Sequence, residues 1–412
     1  MKCKQLFSSL GAALMMVVVL MLVPSAIAQT YKVLYSFTGG ADGYQPHQGV
    51  IFDQQGNLYG TTFEGGTYGA GTVYKLSPNG DGSWTQTVLY SFTGGSDGGY
   101  VDWGKLAFDA NGSLYGASVF AGAYGEGTLF ELTPNVDESW TEAVPHQFTG
   151  GIDGAMPRTI PYFDAQGNLY GTVAYGGRYG CGAAFEMTPK SDNKWAYRIL
   201  HHFKDNPACS PWVGLVPDNT GGLYGTTRNA VGGCSNPPNE CGTVFQLTPV
   251  SGGKWTFKVI HKFKGGKGGS DPSVSGLVID HNGNLYGLTQ AGGKYSTGVF
   301  FELTNLGNRF TYQVFHHFNG PKDGGYPIGQ MVRDASGTFY GTGNLLGPKG
   351  YGTVFKLAPQ DNGRWAFNVI YTFSGNDGAY PLGLVQDSSG NLYGTTAGGG
   401  TNGAGVVFEI TP

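Results

Sequence analysis

A short motif, Leu-Tyr-Gly or in one copy Phe-Tyr-Gly, recurs seven times along this chain of 412 residues. It begins at positions 58, 114, 169, 223, 285, 339 and 392, with spacings between 53 and 62 residues. An Asp-x-x-Gly turn precedes every copy, from Asp53 and Gly56 in the first to Asp387 and Gly390 in the last. Such self-similarity is typical of repeat proteins, in which each unit buries its apolar face against its neighbours.

Each repeat has the pattern of four short β-strands. In the first repeat, residues 47–52, 57–62, 72–76 and 84–92 read as strands, separated by turns and Gly-rich loops. No stretch of ten residues has the apolar period of a helix. Four strands in a repeat of about 55 residues form one blade of a propeller. We therefore predict an all-β fold: a seven-bladed β-propeller with four antiparallel strands per blade.

The two ends of the repeat region are complementary. Residues 31–37 have the sequence of a fourth strand with no blade before it, and residues 406–412 that of a third strand with no fourth after it. We predict that 31–37 join the last blade and close the ring. An open solenoid would need polar capping repeats, whereas the last repeat, residues 383–412, is as regular as the middle ones.

The N-terminal segment has the features of a signal peptide. Lys2 and Lys4 precede an apolar run over residues 10–23, and Ala26-Ile27-Ala28 is a small-residue cleavage site. We predict a signal peptide over residues 1–28 and a single propeller domain over residues 29–412. The apolar run is too short for a comfortable membrane span. We therefore expect a secreted or periplasmic protein with no membrane span after cleavage.

Composition excludes two classes of protein. Charged residues make up 13% of the chain and the formal net charge is −4, so there is no basic surface for nucleic acid. Glycine is abundant, at 73 residues, which is also typical of disordered chains. The strict repeat and the 14% of aromatic residues supply a core, however, and argue against disorder.

Two recurring sequences carry a family resemblance: Gly-Asn-Leu-Tyr-Gly-Thr-Thr, as at residues 56–62, and Gly-Thr-Val-Phe-x-Leu-Thr-Pro, as at residues 242–249. They resemble the GloVer (Gloeo-Verruco) tandem repeat of exported bacterial proteins, and more loosely other propeller repeats. The resemblance implies an exported β-propeller and brings no catalytic residue with it. Members of that family resemble surface proteins with variable C-terminal sorting tails. This chain ends directly after its last strand, so we expect a soluble exported protein.

Tyrosines recur in the Gly-rich loops that the strand order places on one face. Loops on a rigid scaffold often carry binding residues, and a Tyr ring stacks on sugars while its hydroxyl forms hydrogen bonds. The alternative is that these rings pack between blades. The candidate ligand-binding residues are Tyr44, Tyr68, Tyr100, Tyr124, Tyr179, Tyr295, Tyr326 and Tyr380.

Acidic and histidine residues also recur, and we interpret both sets as structural. The loop aspartates are single in each blade, whereas calcium needs several close oxygen ligands; they are Asp42, Asp97, Asp153, Asp271, Asp323 and Asp377. The histidines lie on fourth strands of different blades, too far apart for a metal site or a triad; they are His146, His201, His202, His261, His316 and His317. We predict no cofactor and no metal, although the pattern leaves room for an ion on the axis.

Four cysteines follow the predicted cleavage site. An even number in an exported protein indicates disulfides. Cys234 and Cys241 flank an insertion in the longest repeat, and Cys181 and Cys209 precede strands on the same predicted face. Of three possible connectivities we favour Cys234–Cys241 with Cys181–Cys209.

The sequence therefore indicates a monomeric, non-enzymatic scaffold that binds polysaccharide or a cell-surface protein on its Gly- and Tyr-rich face. The rival is a polysaccharide lyase or hydrolase that uses the same face, and a third alternative is a purely structural surface protein. An enzyme needs unlike groups that converge at the centre of the ring, whereas a binder repeats one contact from blade to blade. The sequence favours repetition.

Overall fold

The structure is a computed structural model that describes residues 29–411 except 103, 160, 192–193, 230–240 and 273–274. The predicted signal peptide lies outside the described residues. The described part forms seven four-stranded antiparallel sheets arranged as the blades of a ring, so the predicted seven-bladed β-propeller is confirmed. None of its helices has the length and apolar character that crossing a membrane requires.

Each blade runs from an inner strand near the ring axis to an outer strand at the periphery. The inner strands are β2 (Tyr44–Phe52), β6 (Ala107–Phe108), β10 (Tyr162–Phe163), β14 (Val216–Pro217), β18 (Leu277–Ile279), β22 (Gly325–Arg333) and β26 (Ala379–Gln386). The second strands are β3 (Leu58–Glu64), β7 (Leu114–Ser118), β11 (Leu169–Val173), β15 (Leu223–Thr227), β19 (Leu285–Thr289), β23 (Phe339–Leu345) and β27 (Leu392–Gly398).

The third strands are β4 (Thr72–Pro78), β8 (Thr128–Pro134), β12 (Ala183–Pro189), β16 (Thr243–Val250), β20 (Val299–Asn305), β24 (Thr353–Pro359) and β28 (Val406–Thr411). The outer strands are β5 (Trp84–Ser91), β9 (Trp140–Gln147), β13 (Trp195–His202), β17 (Lys254–Lys262), β21 (Phe310–His317), β25 (Trp365–Thr372) and β1 (Thr30–Ser36). Among the described residues, the helical turn α1 (Gly320–Asp323) and the 3₁₀ turns Ser251–Gly253 and Gly266–Gly268 lie in connections.

The Asp-x-x-Gly motif is a turn that its own aspartate holds together. The backbone N–H groups of Gln55 and Asn57 donate to Oδ1 of Asp53, at 2.9 Å each. The Tyr59 hydroxyl donates to Oδ2 of the same carboxylate at 3.0 Å. The remaining repeats have the same pair of N–H bonds to aspartate. This capping explains why the motif recurs in every blade.

The glycine of Leu-Tyr-Gly makes room for a buried aromatic ring. A Cβ at Gly60 would lie 2.4 Å from the Tyr74 hydroxyl, and one at Gly116 would lie 2.3 Å from Phe130. Both aromatic side chains are fully buried. Each packs against a phenylalanine from the preceding blade, as Phe92 does on Phe130 with ring centroids 5.0 Å apart. The repeated core therefore joins neighbouring blades.

The ring closes through its chain ends, as predicted. Strand β1 pairs with β28 in an antiparallel register from Thr30↔Thr411 to Ser36↔Val406. Phe37, at the end of β1, packs on Tyr74 with ring centroids 5.1 Å apart. Phe92 makes the equivalent contact with Phe130 at the next junction between blades. The junction between the chain ends is therefore built like the other junctions between blades.

The inner strands break the sevenfold regularity. Strands β2, β22 and β26 are eight or nine residues long, whereas β6, β10 and β14 have two residues and β18 has three. Close backbone approach at Gly383 permits the long strands to meet, since a Cβ at Gly49 would lie 2.5 Å from the Gly383 carbonyl oxygen. The Lys105 side chain reaches β26, where its Nζ donates to the Leu384 carbonyl at 3.3 Å. The backbone around Gly383 and the Lys105 side chain therefore pack closely at the middle of the ring.

Candidate functional site

The loop face carries the connections from second to third strands and from outer strands to the next inner strand. In each blade, one residue at the start of the inner strand or in the loop that leads to it has a left-handed backbone, with φ between 51° and 63°. Its N–H donates to a carbonyl in the preceding blade at 2.8–3.3 Å. These residues are Gln45, Tyr100, Met156, Ser210, Asp271, Tyr326 and Tyr380. Loops of neighbouring blades are thereby fixed to one another.

Four of the eight candidate tyrosines project into solvent from equivalent loops. Tyr68, Tyr124, Tyr179 and Tyr295 are 64%, 62%, 51% and 44% exposed, and we call them the rim tyrosines. Each stands in a loop of the form Gly-x-Tyr between a second and a third strand. A large part of each of these side chains is therefore accessible to a ligand.

The other four tyrosines lie closer to the body of the ring. Tyr44 packs against a buried cluster, and the Tyr100 ring lies 5.7 Å from that of Phe63. Tyr326 is half-buried, whereas Tyr380 is exposed. Packing between blades therefore accounts for Tyr44 and Tyr100, whereas the rim tyrosines and Tyr380 keep a large exposed surface.

Five of the six loop aspartates form turns. In the first, the Thr38 N–H and the Tyr35 hydroxyl donate to Oδ2 of Asp42, at 2.8 and 3.0 Å. Asp97, Asp153, Asp323 and Asp377 bind the equivalent backbone N–H and ring of their own blades. Asp271 differs, since its Oδ2 lies 3.7 Å from Nε of Arg228, toward the axis.

The outer-strand histidines are packing residues. The His201 ring stacks on Phe257 of the next blade at 4.1 Å between centroids, and His261 stacks on Tyr312 at 4.0 Å. Burial lowers the pKa of His201 and of His261 to about 4. The contacts support the structural interpretation, because neutral rings stack between blades at neutral pH.

At the centre of the loop face the structure brings together unlike residues, of which the sequence had singled out only Asp271, as a structural loop aspartate. We call them the axial cluster: His47, Asp102, Arg158, Trp212, Arg228 and Asp271. Asp102 is nearly buried and joins two of them. Its Oδ1 lies 2.8 Å from Nδ1 of His47, and its Oδ2 lies 3.0 Å from Nη2 of Arg158.

Trp212 contacts both charged and apolar residues. The guanidinium carbons of Arg158 and Arg228 lie 4.5 and 4.2 Å from the centroid of its ring, within cation–π range. Trp212 also packs on Ile328 and Leu382. Its Nε1 and the Nε of Arg158 are buried and have no hydrogen-bond partner among the described residues.

Oppositely charged groups pair within the axial cluster. Burial lowers the pKa of Arg158, and the neighbouring Asp102 opposes that shift. An arginine nevertheless stays protonated in proteins. Each carboxylate of the cluster faces a guanidinium, so the arrangement offers paired charges beside an aromatic ring.

A positional signal for this cluster is present in the sequence. His47, Asp102, Arg158, Trp212, Ile328 and Leu382 all stand two residues after a left-handed loop residue, and in every case but Asp102 directly after a proline. The equivalent residue of the fifth blade, Ser273, lies outside the described residues. One position that varies inside an otherwise regular repeat could have identified the centre of the face.

The predicted disulfide Cys181–Cys209 is confirmed and links the loops of the third and fourth blades. Cys241 is also disulfide-bonded, but its predicted partner Cys234 lies outside the described residues. Cys181, Asp205 and Cys209 form the one group with metal-like spacing in the described part of the chain. The disulfide occupies both sulfur atoms, so the group offers no thiolates to a metal.

Comparison with known proteins identifies a family and a fold. The family model described as the Gloeobacter/Verrucomicrobia repeat matches residues 18–238 and 232–412. No match is found among curated protein sequences. A hypothetical selenium-binding protein from Sulfolobus tokodaii is similar in structure, with a TM-score of 0.53, 12% identity and 80% of each chain covered.

PorZ, a surface component of the type-IX secretion system of Porphyromonas gingivalis, is also similar in structure. The TM-score is 0.53 and the identity 14%, over 92% of this chain and 48% of PorZ. At this identity the likeness concerns the fold alone.

Proposed function

We propose that this chain, which belongs to the Gloeobacter/Verrucomicrobia repeat family, is an exported scaffold that binds polysaccharide on its loop face. Export is supported by the signal-like segment over residues 1–28 and by the Cys181–Cys209 disulfide. Disulfides persist mainly in oxidising compartments outside the cytosol.

The observation that carries the proposal is the set of rim tyrosines. Four blades present the same exposed ring at the same loop position, and the interblade hydrogen bonds hold the loops in place. A polymer with repeating sugar units meets repeating contacts on such a surface, each with an apolar face for stacking and a hydroxyl for hydrogen bonding. Several weak contacts on one polymer raise the overall affinity.

The test compares rim variants with a variant of the opposite face. A ligand that binds only the folded state raises the melting temperature, so the protein is screened by thermal shift against a panel of polysaccharides. Tyr68→Ala and Tyr124→Ala together should abolish or strongly reduce the shift with the active glycan. The control, Val136→Ala, removes a fully exposed apolar side chain from the β8–β9 turn and should leave the shift intact. Equal shifts in all variants would refute a role for the rim tyrosines.

The axial cluster favours a second candidate, a polysaccharide lyase or hydrolase. Unlike charged groups converge there, and His47 with Asp102 forms a pair of the kind that transfers protons. The same wells are therefore assayed for new reducing ends and for unsaturated uronate products. Product formation that Asp102→Asn abolishes would establish the enzyme; binding without product would favour the scaffold.

A further inference from the structure

We propose a second binding site, at the opposite end of the axis, for a small amphipathic carboxylate whose acidic head pairs with Lys105. We call it the turn-face mouth: the cavity lined by Lys105 and by the ends of the inner strands that lead into the Asp-x-x-Gly turns. This site is independent of the rim tyrosines and of the axial cluster.

The turn-face mouth is widely open to solvent, and it has the volume and the mostly apolar lining of a small-molecule site. Its volume is about 540 Å³, within the range of roughly 300–1,000 Å³ that such sites usually have. Apolar side chains from strands β2, β14, β18, β22 and β26 form most of the wall, among them Phe52, Val278, Met331 and Leu384. Gln330 is one of the few polar residues there.

Lys105 is the cation at the inner end of this cavity. Its side chain is 7% exposed, and the Leu384 carbonyl is the one acceptor that the described residues provide, at 3.3 Å from Nζ. An ammonium group has three donors, and a buried charge without a counterion is costly. An anion in the mouth would supply both the counterion and the absent acceptors.

Nearby acidic groups do not fulfil that role. Asp102, three residues earlier in the chain, is held by His47 and Arg158 on the loop face. None of the other described residues that line the mouth is titratable. Burial alone lowers the pKa of Lys105 to about 8, so the group still carries its charge at pH 7.

The single cation selects the class of ligand. A phosphate or sulfate gains most from bidentate arginine donors, whereas the described lining offers a single cationic group, the ammonium of Lys105. A carboxylate, with one negative charge, can be paired by this single ammonium group. The apolar ends of the inner strands match a hydrocarbon body better than a polar one. A medium-chain carboxylate therefore matches both parts of the cavity.

The first test needs no variant. Isothermal titration at pH 7 compares decanoate with decanol, both below the concentration at which they aggregate. We expect decanoate to bind about ten- to a hundredfold more tightly, which is the effect of a buried hydrogen bond to a charged group. Its affinity should fall as the pH rises from 7 to 9.5, because Lys105 loses its charge. Equal affinity for decanol, or no binding of decanoate to the folded protein, would overturn the proposal.

A variant then locates the site. Lys105→Met keeps the volume and removes the charge, so decanoate should bind it no better than decanol. The matched control is Lys258→Met, at an exposed position of β17, which should behave like the unchanged protein. If Lys105→Met retains the affinity for decanoate, the ligand binds elsewhere and the proposal is wrong.

Discussion

Closure of the ring by β1 makes a quantitative prediction. Phe37 is fully buried and its N–H donates to the Gly405 carbonyl at 3.0 Å, while Phe92 is equally buried and donates to Gly71 at the same distance. The first bond joins the two ends of the chain, and the second lies within one repeat. If β1 is docked as the structure has it, Phe37→Ala and Phe92→Ala should be equally costly.

The expected loss is about 3–5 kcal/mol for either substitution, the usual cost of removing a buried phenylalanine side chain. For a domain of this length the unfolding entropy is roughly 0.8 kcal/mol per kelvin, so the melting temperature should fall by about 4–6 °C. Deleting residues 29–37 should do more. It removes the burial of Leu34 and Phe37 together with the pairing of β1, and it exposes the edge of β28 to aggregation.

The assay is thermal and urea unfolding of the protein that begins at Gln29, beside the two alanine variants and the form that begins at Thr38. Size-exclusion chromatography reports aggregation of the shortened form. A neutral Phe37→Ala beside a destabilising Phe92→Ala would show that β1 is not docked in solution. A fully stable shortened form would refute ring closure altogether.

Three further predictions concern stability. Lys105→Met should stabilise the protein at pH 7 by about 2 kcal/mol, because the lowered pKa costs roughly 3 kcal/mol and the hydrogen bond that is lost contributes about 1. Between pH 8 and about 10.5, Lys105 is protonated in the unfolded chain but neutral in the folded protein. The stabilisation by Lys105→Met, measured by urea unfolding, should therefore disappear over that range. A stabilisation that persists to pH 10.5 would contradict the lowered pKa of Lys105. Replacing Cys181 and Cys209 by serine should lower the unfolding free energy by about 3–4 kcal/mol, since the bridge spans 28 residues. An unchanged melting temperature in calorimetry would contradict this prediction. His201 has a pKa below its usual value, so the folded protein loses stability as the pH falls from about 6.5 to 4. His201→Phe should weaken that dependence in melting curves.

Much of the fold was predictable because every repeat has the same sequence pattern of strands and turns. The capped turn of Asp53, the strand after it and the buried ring opposite Gly60 depend on interactions within a few residues or within one hairpin. The closing strand was predictable for a related reason. Residues 31–37 could be recognised as a fourth strand that lacks a blade, and the last repeat as a blade that lacks its fourth strand.

The candidate site was less predictable. The loop positions of the tyrosines follow from the repeat, but their exposure does not: Tyr68 projects into solvent while Tyr100 packs on Phe63. The loop aspartates look alike in sequence, yet Asp42 holds its own turn and Asp271 faces Arg228. Such differences depend on which neighbouring blade each side chain meets.

By itself, the sequence determined the blade count, the strand order and the closed ring, because periodicity and local turn chemistry specify them. It left three cysteine connectivities open, of which the structure shows the bridge between Cys181 and Cys209. Only the tertiary structure decided what meets on the axis. His47, Asp102, Arg158 and Trp212 come from four different repeats, and Lys105 reaches a carbonyl 279 residues away in the chain. The physical reason is that ring closure converts equivalent positions in distant repeats into neighbours. The chemistry at the centre is therefore a property of the assembled ring.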